Sequence, residues 1–145
     1  MVLYWLSKCG YECAKIDHTG TDLIASIEGV RIGISVQGRS RYPGKEKESV
    51  NLHPFEDARV ACKPFGLIPY SAIVVDRGTA ISCYLLKLDY LETIAGGAAL
   101  RTWSMGEKFL NACRDDPKIA QFELGGSAHW QAHGGSKVLK AMIAA

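Results

Sequence analysis

The residues of this chain with the clearest capacity for chemistry are cations. Arg31, Arg39, Arg41, Lys45 and Lys47 form its one basic stretch, and Tyr42 sits among them as a ring on which a base could stack. Glu28, Glu46 and Glu48 dilute the charge, so the same stretch also reads as a solvated loop of mixed sign. Two aspartates precede it. Asp22 stands beside a turn, where an Asp side chain either meets a ligand or caps loop N–H groups. Asp17 lies at the end of an expected strand, where a solvated terminus is the plain reading. His129 and His133 are four apart, a spacing that on a helix would aim two imidazoles at one zinc ion. Gly125-Gly126 and Gly134-Gly135 flank them and argue against a helix, and no third ligand is near in sequence. His18 and His53 read as loop histidines. Cys9, Cys13, Cys62, Cys83 and Cys113 are scattered without a C-x-x-C pair, which points to free thiols in a reducing compartment. No phosphate-binding loop, dinucleotide fingerprint or G-x-S-x-G elbow occurs, so nucleotide and serine-hydrolase chemistry drop out.

The scaffold that must position these residues is predicted to be one α/β domain. The 145 residues, 48% hydrophobic and 22% charged with 15 glycines and 5 prolines, suit a single globular core. A net charge of +2 carries no nucleic-acid signal by itself, because affinity for a polyanion follows local clustering. Lys8 interrupts the apolar opening, and no segment approaches the roughly 20 apolar residues of a membrane span. We therefore expect a cytoplasmic protein with no membrane partner.

Val2, Leu3, Trp5 and Leu6 predict a short helix ending near Cys9, with Gly10 as its left-handed cap. Three strands follow, YECAKID, TDLIASIE and VRIGISVQ, and the last two form a hairpin at Glu28-Gly29. In the third strand Val30, Ile32, Ile34 and Val36 share one face, and Arg31, Gly33, Ser35 and Gln37 share the other. Residues 38–54 read as a mobile loop crossing the sheet edge, and FEDARVACK as a helix. YSAIVVD and TAISCYLLK, joined at Arg77-Gly78, bring the mixed sheet to about five strands with flanking helices. Residues 1–90 make this core. Residues 91–145 are expected to be a helical C-terminal extension on the same domain, with a helix near Met105–Arg114 and an amphipathic one over SKVLKAMIAA.

The order of these elements, with the phrases HTGTDLIA and GISVQGRSR, resembles the PD-(D/E)XK nuclease superfamily, which includes Holliday junction resolvases and many restriction enzymes. The resemblance covers about residues 1–90 and implies a restriction endonuclease-like core. It places Asp22 at the metal-binding Asp of the second strand, and Ser35 and Gln37 at the paired (D/E/Q)-x-K positions of the third. Residues two apart on a strand share a face, so both would look toward Asp22 across the hairpin. The family's chemistry needs hard oxygen ligands for Mg²⁺ and a cation near the attacking water. Here a Ser and a neutral Gln stand in those places, and no acid precedes Gly10. A shifted register, Gln37-Gly38-Arg39, would restore a Q-x-R pair, but Gly38 reads as a strand end.

The resemblance thus implies a nuclease-fold protein that binds DNA or RNA, with Mg²⁺-dependent phosphodiester cleavage lost or weakened. Arg39, Arg41 and Lys45 would meet the phosphate backbone, and Asp22 would be the remaining metal ligand. Two alternatives stay open. One is an active endonuclease with an altered motif; the other is a non-catalytic interaction module, dimerising through the apolar face of Val138, Leu139, Met142 and Ile143.

Overall fold

Alternating apolar and polar residues set most of the chain into strands, and left-handed turn residues fold those strands back on one another. The computed structural model describes residues 1–40, 48–125 and 130–133. Helix α1 (Val2–Lys8) leads into an antiparallel meander of β1 (Glu12–His18), β2 (Thr21–Ile27) and β3 (Val30–Ser40). The β2–β3 turn has Glu28 at φ 50° and Gly29 at φ 83°. Two successive left-handed residues match the twist of a two-residue hairpin. After β4 (Ser49–Asn51) and α2 (Phe55–Cys62), a 3₁₀ turn at Lys63–Phe65 returns the chain to β5 (Ile68–Asp76), which lies parallel to β3. β6 (Ala80–Lys87) pairs antiparallel with β5.

The remaining elements are α3 (Leu88–Ile94), α4 (Gly97–Leu100), β7 (Thr102–Ser104), α5 (Glu107–Asp115), β8 (Ala120–Gly125) and β9 (Trp130–His133). The main sheet is seven-stranded in the order β1-β2-β3-β5-β6-β8-β9, and β4 and β7 form a separate two-stranded ribbon. The five expected strands are its first five. The extension is not only helical, because β8 and β9 add to the sheet beside β6. Ala120, Phe122 and Leu124 alternate with Gln121 and Glu123, a period-two pattern too short to stand out in the sequence. The amphipathic segment 136–145 lies outside the described residues. Among those residues, no helix is long and apolar enough to cross a membrane.

Both faces of the sheet are covered. On one, α1 presses Val2, Trp5 and Leu6 onto Leu23, Ile34, Ala72, Leu85 and Phe122, with the Trp5 and Phe122 rings 4.2 Å apart. On the other, Phe55 and Ala58 of α2, together with Leu91, Trp103 and Leu110 of the extension, cover Ile73, Val75, Tyr84 and Leu86. One glycine sets this second layer. At Gly20, with φ +90°, a Cβ would sit 2.4 Å from the Asp57 carbonyl oxygen, so the β1–β2 turn can touch α2 only without a side chain. Gly38 corrects an expectation. It does not end the third strand, which runs on to Ser40. A Cβ there would come within 2.9 Å of the Val74 carbonyl oxygen, so the glycine permits close approach of β5.

Candidate functional site

The paired residues of β2 and β3 run from Ile27 opposite Val30 to Leu23 opposite Ile34. One step further Asp22 uses its side chain. Its Oδ2 accepts the Val36 N–H at 2.7 Å, supplying the β3 backbone with a partner at the end of that paired run. Asp22 is exposed, and the cap is the plain role open to an Asp beside a turn. Ser35 and Gln37 follow on β3 beneath α2, only 5% and 9% exposed. Gln37 Oε1 accepts the His53 N–H at 2.6 Å, which draws the chain entering α2 down onto β3. Ser35 lies in register with Ser71 of β5. These residues line a small recess closed by Pro54, Phe55 and Ala58, and Asp22 is not part of that lining.

The extension holds this cover in place. β4 pairs with β7 through Val50 and Trp103, the Leu52 N–H donates to the Arg101 carbonyl at 2.9 Å, and the Met105 N–H donates to the Glu48 carbonyl at 3.2 Å. Trp103 is fully buried against the rings of Tyr84 and Phe109. The ribbon thereby anchors the chain just before His53.

No protein-family model matches this chain, and no curated protein matches it. Among solved structures it is similar to Archaeoglobus fulgidus Hjc, a Holliday junction resolvase from an archaeal hyperthermophile. The two share 16% identity at a TM-score of 0.54, over 77% of this chain and 89% of that one. The chain has that resolvase's fold. At this identity the likeness is one of architecture, and it bears out the restriction endonuclease-like core that the sequence resemblance implied.

The three positions that the sequence resemblance marks, Asp22, Ser35 and Gln37, hold one carboxylate, one hydroxyl and one carboxamide. That set does not fit Mg²⁺, which takes near-octahedral oxygen ligands and usually one or two carboxylates open to water and phosphate. Asp22 already spends an oxygen on Val36, and the Ser35 and Gln37 side chains are enclosed by α2. Among the described residues, no group of three or more His, Cys, Asp or Glu side chains could hold a metal ion. Asp17 lies where the β1–β2 register shifts, between Lys15 and His18. His129 is outside the described residues, and His133 pairs opposite Gln121 in β9. His18 has its Nδ1 2.9 Å from the Thr19 carbonyl oxygen and its ring edge-on to Phe65.

Among the described residues Arg39, Arg59 and Arg77 face carboxylates. Arg39 forms an ion pair with Glu48 and donates from Nη1 to the Ser49 carbonyl at 3.1 Å, tying the end of β3 to the start of β4. Arg41 and Lys45 lie outside the described residues. Sequence reasoning missed two further arginine clusters. Arg59 bridges Glu92 and Asp89, which holds α2 against α3, and these carboxylates raise the guanidinium pKa further. Arg77 pairs with Glu123 and donates to the Ser82 hydroxyl at 3.1 Å, linking the β5–β6 turn to β8. No local pattern announces such pairs, whose partners lie tens of residues away. The cysteines are free, and burial raises their pKa, to about 12 for Cys113. A thiol so poorly ionised is no nucleophile at neutral pH.

Proposed function

We propose that this chain is a nuclease-fold protein that binds DNA or RNA and in which Mg²⁺-dependent phosphodiester cleavage is lost or severely weakened. The observation that carries the reading is the use of Gln37. At the position where the motif has its lysine, the side chain is a buried strut to the His53 N–H. A group spent in this way supplies no charge to a phosphorane, and losing such a group costs on the order of 10²–10⁴ in rate. Asp22, by the same logic, serves β3 before it serves a metal. Nucleic-acid binding is supported by the resolvase-like architecture and by the basic stretch at Arg39, Arg41 and Lys45.

The test is a binding titration of the full chain with single-stranded, duplex and branched DNA and with RNA across salt concentrations, beside a cleavage assay in Mg²⁺ or Mn²⁺. Salt-dependent binding without cleavage is expected. Cleavage that disappears in Asp22→Ala would replace this reading with the active endonuclease. One observation favours that second reading: β3 continues to Ser40, so Gln37 and Arg39 lie on the same strand two residues apart. Against it, Arg39 is held by Glu48 and the Ser49 carbonyl.

A further inference from the structure

The interior beneath α2 contains an unpaired polar atom. The Ser71 side chain is 1% exposed, and its hydroxyl has no hydrogen-bond partner among the described residues. Leaving a buried hydroxyl unbonded forfeits its hydration without return, so a native interior normally provides a partner. Ser71 lines the recess whose other polar walls are Ser35 and Gln37 and whose apolar walls include Phe55, Ala58 and Leu88. The cavity volume is about 10 Å³, near the space that one water requires.

The spacing of the two serines fits that occupant. Ser35 and Ser71 are register partners on adjacent parallel strands, so their side chains leave the same face. Neighbouring strands lie about 4.8 Å apart. Two hydrogen bonds of about 2.8 Å meeting at a tetrahedral angle span about 4.6 Å, so one oxygen can join two hydroxyls carried by strands at that spacing. Gln37 Oε1 has a second lone pair beside the one that meets the His53 N–H. The site therefore offers three polar partners, the usual number for a buried water.

We propose that this recess binds one ordered water, held by the Ser35 and Ser71 hydroxyls and the Gln37 carboxamide, which joins β3 and β5 beneath α2. The site goes beyond the functional reading above and does not depend on nucleic-acid binding. It also gives position 35 a role: the side chain there grips a water inside the fold.

The test combines a high-resolution crystal structure of the full chain with thermal unfolding of Ser35→Ala, Ser71→Ala and the double variant. Removing either hydroxyl breaks the same bridge, so the double variant should shift the melting temperature no further than the more damaging single change. Electron density for a water between the two hydroxyl oxygens together with that non-additivity establishes the site. A recess without such density, or a double variant whose shift is the sum of the two single shifts, overturns it.

Discussion

The two faces of the sheet are built from the same strands and differ in what they bury. Under α1 the buried cluster is made of apolar and aromatic side chains such as Leu23, Ala25, Ile32, Ile34 and Ala72, its polar atoms being those carried by aromatic rings, Trp5, Tyr11 and Tyr70. The strand positions facing α2 and the extension include Ser35, Gln37 and Ser71, and Thr21 lies 3.5 Å from the Cys62 sulfur of α2. Further across the sheet Ser82 and Gln121 stand in register with Glu123 and Tyr84 on that second face. A stable sheet needs no small polar side chains such as Ser and Gln in its interior, because each must find a partner to offset its desolvation and brings little apolar surface in return. The first face stabilises the fold without selecting any chemistry. The second keeps a polar centre at Ser35, Gln37 and Ser71, and then covers it.

The largest effect should come from the apolar face. Ile34 is fully buried beside Leu23. Ile34→Ala deletes atoms from a close-packed layer and should cost about 2–5 kcal/mol, read as a lower denaturant midpoint with an unchanged slope. Gln37→Leu probes the other face at nearly constant volume. It leaves the half-buried His53 N–H without its acceptor, which should cost about 1–3 kcal/mol. Its distinguishing readout is local: amide exchange at His53 and Leu52 should accelerate, while that of Ile34 keeps pace with global unfolding. Equal acceleration at all three would mean that the strut has no local role and that the two faces differ only in composition.

That contrast was only partly legible in the sequence. Period-two alternation assigned Ile32 and Ile34 to one face of β3 and Ser35 and Gln37 to the other, and turn residues placed β1, β2, β3, β5 and β6. The step that did not follow was burial. Alternation marks that face as polar but carries no sign that α2 and the β4–β7 ribbon close it. Those contacts join residues distant in the chain, such as Val50 with Trp103, and the strands involved are three residues long, below what periodicity can register. Gly38 misled for a similar reason, since its lack of a side chain serves β5 and not a turn. Asp22 was legible as a cap or a ligand. The Val36 N–H occupies one of its oxygens with the first of these.

The smallest effect on stability, and the most informative about function, belongs to Arg39 at the outer end of the polar face. Its pair with Glu48 is 46% exposed on the arginine side and 31% on the glutamate side, so Arg39→Ala should cost only about 0–1 kcal/mol. If the basic stretch meets phosphates, an arginine already facing a carboxylate must exchange one anion for another, and its net contribution to affinity is small. Glu48→Gln removes the competing charge while keeping a side chain of similar size and an oxygen that can still accept from Arg39. Nucleic-acid affinity should therefore rise in Glu48→Gln, and the salt dependence should steepen by about one phosphate contact. In the Arg39→Ala background the same Glu48→Gln change should add less, because the freed cation is gone. An equal gain in both backgrounds would show that Glu48 acts by general repulsion. No binding in any variant would instead move the proposal from nucleic acid to an interaction module built on the same fold.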